Sequence, residues 1–351
     1  LQKNYRPELD GVRAICILLT IANHLPGAPG FINGSVGVDI FFALSGWLIT
    51  HRLLQERVRT GTISLRSFYL LRVFRIAPLY FVSIALYGLA AWAMAQIIGS
   101  SADLQSFMSA FPWLITFNSE YRGEGAGNIF GHAWTLGIEE KFYILWPIFL
   151  LLFIRSIRLP LLLLPAVIVA LIAWAPEKDH VLRGYLGLGF GTALAIAAQN
   201  ASVAKLLGQA WAVYAAAILI ALCYVLSLLF PHAYFWNIAV SLAAAFLVGG
   251  LWHGDSHVGR LLSWQPLAYA GKLTFAVYLT HVLVINVVVM ALQKTAVSLP
   301  YAAVFVLVYA SSILVAAVLN AAVEDPLIKV GRRVSARDKP VALAAAETVS
   351  P

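Results

Sequence analysis

The sequence predicts an all-α protein, a polytopic transmembrane bundle of about ten spans, and three observations carry that prediction. Of its 351 residues, 61% are hydrophobic and only 11% are charged, where soluble domains carry about 25% charged residues. The apolar residues gather into runs near the roughly 20 residues that a helix needs to cross a bilayer. The basic residues between the runs fall overwhelmingly on one side of the map the runs define, as the positive-inside rule requires.

Taken in order, the runs place spans near 9–25, 36–54, 78–98, 132–153, 159–175, 183–199, 208–230, 234–252, 272–293 and 300–322. Residues 103–117 read as an interfacial or re-entrant helix before the fourth span. The first run carries Asp10 and Arg13 at its start and His24 at its end, without a small-residue cleavage site, so it reads as a span and not as a removed signal. With the N-terminus inside, 18 of the 24 Lys and Arg residues fall inside, four fall outside, and Arg13 and Lys141 fall within spans. An odd number of spans puts the basic tail outside and worsens that score. Ten spans with both termini cytoplasmic follow. Residues 1–335 then form one transmembrane domain, and 336–351 a short cytoplasmic tail without order. Cys16 and Cys223 each lie inside an apolar run, so neither suggests a disulfide or a metal ligand. The net charge of +8 is accounted for by the inner loops, which leaves no reason to invoke nucleic acid.

Seven ionisable residues lie within the expected spans: Arg13, His24, Asp39, Glu139, Glu140, Lys141 and His281. A charge at the bilayer centre costs about 2.5–3.5 kcal/mol on insertion scales, so each is a candidate for function. Arg13 and His24 stand about 16 Å and nearly three whole turns apart, which puts them on one helix face. The span directions bring His24, Asp39 and Glu139 toward a shared cavity in the outer half. Arg72 and Arg75, three residues apart at the mouth of the third span, form an inner patch suited to a polyanion such as a nucleotide phosphate.

At this point the sequence resembles the acyltransferase 3 family of membrane acyltransferases. The resemblance rests on Glu8-Leu9-Asp10-Gly11-Val12-Arg13-Ala14, on Arg13 followed by ten residues and His24, and on Gly37-Val38-Asp39-Ile40-Phe41-Phe42-Ala43-Leu44-Ser45-Gly46. It continues through Arg72-Val73-Phe74-Arg75-Ile76-Ala77-Pro78-Leu79-Tyr80 and Trp134-Thr135-Leu136-Gly137-Ile138-Glu139-Glu140-Lys141-Phe142-Tyr143, to Tyr278-Leu279-Thr280-His281 and Glu324-Asp325-Pro326. Leu71 stands where the family commonly has Arg, Lys141 where it has Gln, Trp47 where it has Phe and Thr135 where it has Ser. The first two departures alter charge in the expected donor path. No counterpart of the soluble catalytic domain that some members carry is expected in these residues.

The resemblance implies an acyl-CoA donor, usually acetyl-CoA, no metal, and transfer to a hydroxyl of a carbohydrate or glycosylated acceptor at the bacterial inner membrane. It also implies that Arg13 and His24 are essential. His24 then acts as a general base or itself carries the acyl group; both routes stay open. Glu139 orients the His24 ring or stabilises its charged form, and Arg13 holds the donor or the oxyanion. Arg72 and Arg75 bind the donor, and Asp39, Tyr143 and His281 are further site candidates. The acceptor is not legible: lipopolysaccharide, exopolysaccharide, peptidoglycan, a lipid-linked oligosaccharide and a macrolide sugar all remain. The outer loop at 99–131, with Glu120, Arg122 and Glu124, is the expected acceptor-selecting element.

Plainer readings stand beside these. Asp39 reads equally as a brace between helices, and His281 more simply as a buried histidine with its bonds satisfied. Glu140 and Lys141 read as a local pair, Ser45-Gly46 as a close-packing feature, and Glu324-Asp325-Pro326 as the end of the tenth span. His253, Asp255 and His257 have ligand-like spacing but lie in a short polar loop. A secondary transporter is the rival class, since many spans with buried charges describe one too. The lack of two repeated halves counts against it.

Overall fold

The computed structural model describes residues 5–99, 101–122, 130–153, 179–230 and 235–337. Among the described residues there are helices and no strands. In chain order they are α1 (Pro7–His24), α2 (Ser35–Thr60), α3 (Leu65–Ile98), α4 (Ala102–Ile115), α5 (Trp134–Leu152), α6 (Asp179–Ala197), α7 (Ala201–Leu207) and α8 (Ala210–Leu229). There follow α9 (Phe235–His253), α10 (His257–Leu262), α11 (Gln265–Lys272), α12 (Thr274–Lys294), α13 (Tyr301–Leu319) and α14 (Asp325–Arg337). Short 3₁₀ turns at Ser119–Tyr121 and Gly131–Ala133 precede α5.

Every expected span that falls on described residues coincides with one of these helices, and the expected interfacial segment is α4. The span at 159–175 and all but the start of the tail lie outside the described residues. Among the described residues, six helices are long and apolar enough to cross a membrane, or up to seven if the pair α6 and α7, bent by 119°, is one span. α1 and α5 do not pass that test: each holds three acidic or basic residues, Glu8, Asp10 and Arg13 in one, Glu139, Glu140 and Lys141 in the other. Those charged side chains are what makes these two helices less apolar than the others.

Local chemistry sets the helix ends. α2 stops at Gly61 and α3 at Gly99, both left-handed with φ of 77° and 73°, a conformation that costs glycine little. Ser64 caps α3, accepting a hydrogen bond from the amide of Ser67 at 3.3 Å. At Glu324-Asp325-Pro326 the chain stays helical, because a π-helical turn at Asn320–Glu324 carries α13 directly into α14. Pro326, which has no N–H to give to the preceding turn, stands just after that π-helical turn.

α2 is the inner helix and packs against α1, α6 and α9, whereas α8 and α13 leave most of their apolar surface outward. Its apolar stretch is 78% buried, against 22% for α8. Glycine permits the closest approaches: a side chain at Gly46 would collide with the backbone of Leu188, and one at Gly191 with that of Ala43. The core among the described residues falls into four clusters, and α1 belongs to the two largest. Leu9, Val12 and Cys16 join Trp47, Val240 and Val248, while Ile17, Ile21 and Leu25 join Tyr80, Tyr87 and Phe130. The helix bearing Arg13 and His24 is thereby held along its whole length.

Candidate active site

At the N-terminal end of α1, Arg13 bonds Asp10 at 2.5 Å, and the hydroxyl of Tyr5 donates to the same carboxylate at 2.9 Å. The Asp10 carboxylate is buried, and the Arg13 side chain stays 23% exposed. Arg72 stacks on the rings of Tyr143 at 4.6 Å and Phe68 at 5.7 Å from guanidinium carbon to centroid. Arg75 is exposed and has Arg72, Arg13, Glu324 and Tyr143 as its charged or ionisable neighbours. Arg52 of α2 completes the group, interacting with both Arg72 and Arg75. No carboxylate lies within 4.0 Å of Arg52, Arg72 or Arg75 among the described residues. Four arginines from three helices thus converge, and only Arg13 is in an ion pair.

Next along α1 lies a pocket whose lining includes Cys16, Ile17, Thr20, Thr135, Glu139 and Tyr278. Glu139 is buried, with Ser45, Tyr143, Arg72 and Arg13 as its polar and charged neighbours. Its Oε1 has no hydrogen-bond partner among the described residues. Tyr143 is buried as well. Glu139 therefore belongs with the arginines.

At the far end of α1, His24 is exposed and its Nδ1 donates to the carbonyl of Thr20 at 2.8 Å. A carbonyl only accepts, so Nδ1 carries the hydrogen and Nε2 of the neutral ring is the free lone pair. Tyr301 donates to the carbonyl of Ala22 at 2.7 Å and ties this end of α1 to α13. Two further histidines meet it: the ring of His281 on α12 lies 5.1 Å from that of His24, centroid to centroid, and the ring of His132 6.3 Å away. The rings of His132 and His281 are 4.6 Å apart.

The structure corrects several expectations. Glu139 does not orient His24; the Thr20 carbonyl, one turn back on the same helix, holds the ring. Asp39 is not gathered with His24 and Glu139. Arg183 of α6 grips its carboxylate with two bonds, at 3.2 and 2.6 Å, and Asn237 of α9 donates a third at 2.8 Å. Asp39 thus ties α2, α6 and α9 together. Lys141 does not pair locally with Glu140: it reaches Glu120, 1% exposed, and the carbonyl of Phe117 at 2.8 Å. Arg122 bonds Ser106 and Ser109 of α4 at 3.2 and 2.9 Å. Glu120 and Arg122 of the expected selecting loop are therefore engaged by the protein itself, and Glu124 lies outside the described residues. His253, Asp255 and His257 do not converge: His253 packs beside Trp47 and His51, and His257 bonds Arg260. No group of three His, Cys, Asp or Glu fit for a metal ion occurs among the described residues.

His132 was not singled out from the sequence. A lone histidine at the start of an apolar run carries no local signal of a partner 108 residues upstream, and only the packing of α1, α12 and the turn before α5 reveals it.

An arginine cluster, a pocket holding a buried carboxylate, and an exposed histidine therefore follow one another along α1. The sequence profile of a family described as an acyltransferase domain, acyltransferase 3, matches residues 6–321. The chain belongs to the acyltransferase 3 family. Among its relatives is "Peptidoglycan O-acetyltransferase OatA" of Listeria monocytogenes, 29% identical over 324 residues, covering 84% of this chain and 51% of that protein. Another is "Putative peptidoglycan O-acetyltransferase YrhL" of Bacillus subtilis, 30% identical over 309 residues, covering 79% of this chain and 48% of that protein. The chain spans about half the length of these curated relatives. No solved structure matches it.

Proposed function

We propose that the chain is a membrane O-acyltransferase that takes an acyl group, acetyl foremost, from cytoplasmic acyl-CoA and transfers it to a hydroxyl of a cell-envelope carbohydrate. The observation that carries this reading is the order of groups along α1, from the arginines beside Arg13, past the pocket at Thr20 and Glu139, to the exposed ring of His24. Guanidinium groups pair with phosphate. The coenzyme's phosphates bind at Arg52, Arg72 and Arg75, and its acyl arm extends along the pocket toward His24. Nε2 of His24 takes the proton of the acceptor hydroxyl. The new O–C bond forms as the thioester C–S bond breaks, and the proton passes from His24 to the departing thiolate. The names of OatA and YrhL favour peptidoglycan among the envelope carbohydrates.

The same reading gives ten spans with both termini cytoplasmic in a bacterial inner membrane. α1 and α5 cross despite their charges, because the pairs Asp10–Arg13 and Glu120–Lys141 remove much of the cost of inserting an isolated ion. The uneven split of Lys and Arg across the map supports the orientation.

The test is release of CoA from acetyl-CoA by the protein in lipid, with candidate acceptors added in turn and His24→Ala run in parallel. Release by the wild type alone is expected. Equal release by both variants removes His24 from the mechanism. No release with any acceptor, together with failure to bind labelled acetyl-CoA, sinks the acyltransferase reading and favours a transporter.

A further inference from the structure

His132 and His281 sit behind His24 in an arrangement that packing alone does not require. His281 is 0% exposed, and its Nδ1 donates to the carbonyl of Tyr278 at 2.7 Å. His132 is 7% exposed and leans on the backbone of Tyr278 and Leu279. His281, like His24, spends its single neutral-state hydrogen at Nδ1, which leaves Nε2 an unshared lone pair. Among the described residues no group bonds Nε2 of His132 or of His281, although both atoms are buried. A buried polar atom without a partner costs free energy and calls for a reason.

Two reasons fit an acyltransferase: the lone pairs meet the acceptor, or they act on His24. The first fails on access, because both nitrogens are shielded from solvent and His24 alone of the three is exposed. The second fits the surroundings. Among the described residues, the titratable groups that face this cluster are the three imidazoles themselves, Tyr278, Tyr87 and Tyr301. Glu139, the expected counter-charge, is instead engaged with Ser45, Tyr143 and Arg72. When His24 takes a proton it becomes an imidazolium with no carboxylate beside it among the described residues. The groups in place to stabilise that cation are the lone pairs and ring faces of two neutral imidazoles, packed edge-on to His24 at 79° and 70°.

We propose that His281 and His132 are positioning residues that hold the ring of His24 and stabilise the cation it forms, through their Nε2 atoms. The proposal rests on the reading of His24 as the base. Its test exploits two amide side chains of equal polarity. Glutamine places a polar atom where Nε2 of histidine lies, and asparagine places one where Nδ1 lies. The variants are His281→Gln, His281→Asn, His132→Gln and His132→Asn, with kcat and acceptor KM measured in lipid and acetyl-CoA binding as the check of folding. The asparagine variants are expected to lose about 100-fold in kcat, within the usual range for a disturbed proton transfer. The glutamine variants keep a clear advantage over them, and acceptor KM is unchanged. Glutamine variants no better than asparagine variants, at whatever activity, overturn the proposal, since at His281 a purely structural role needs the Nδ1 bond to the Tyr278 carbonyl. Four variants as active as wild type overturn it too. A wild type that releases no CoA with any acceptor takes down the function itself, and this proposal with it. An active wild type with the wrong variant order takes down this proposal alone.

Discussion

The hydroxyl of Tyr278 donates to the carbonyl of His132 at 2.6 Å, so that a side chain of α12 fixes the backbone of the turn before α5. With that hydrogen spent, Thr135 is the donor in its own 2.7 Å bond to the Tyr278 oxygen. The side chain of Tyr278 thus serves His132, while its carbonyl serves His281. Replacing Tyr278 by Phe keeps the ring and removes both hydroxyl bonds. A net loss of about 1 kcal/mol per bond is expected in stability. A fall in kcat without loss of acetyl-CoA binding should accompany it, read by thermal unfolding and CoA release on the same preparation.

Asp39 and Arg183 form a buried pair, with side chains 2% and 14% exposed. Removing one partner of such a pair costs about 3–5 kcal/mol, because the other charge is left buried alone. Arg183→Ala should therefore lower the unfolding temperature sharply. The double variant Asp39→Asn with Arg183→Gln should recover much of the loss. Protein of either kind that remains folded should keep its kcat, as the pair lies outside the path along α1.

Lys141 and Glu120 make a second such pair, across α5 and the 3₁₀ turn at Ser119–Tyr121. Lys141→Gln should destabilise the protein by about 3 kcal/mol, and adding Glu120→Gln should restore part of it. The KM for acyl-CoA should not move. A shift in donor KM without a stability loss would return Lys141 to the donor path.

Arg72 lies over the ring of Tyr143, where a planar guanidinium stacks and a lysine does not. Arg72→Lys keeps the charge but gives up the planar stacking and the fork of donors of the guanidinium. The KM for acyl-CoA should rise about tenfold, with kcat little changed. Equal kinetics for Lys and Arg would mean that charge alone matters there.

Much of the fold was legible because a bilayer imposes a length on each apolar run, and length survives without knowledge of neighbours. The pairing of charges was not. Asp39 finds Arg183 across 144 residues of sequence, and Lys141 finds Glu120 in a loop read as a selector of acceptors. Of the proposed site, Arg13, His24, Arg72 and Arg75 could be named from the sequence, where the helical repeat or close spacing relates the members. It was not legible at His132, which comes to His24 only through the packing of separate helices. Glu139 was found but given the wrong neighbour. Depth along a span can be counted from sequence, while the side of the helix that meets another cannot.

Because the two largest clusters of the core both grip α1, the interval between Arg13 and His24 is held fixed. For a donor held by its phosphates at one end, that interval works as a fixed gauge. A thioester whose carbonyl sits too near its phosphates cannot be anchored and reach the ring at once, and one on a longer tether must fold its slack into the pocket at Thr20. Choice among donors is in that case a matter of reach, settled by a rigid length of helix before any chemistry begins.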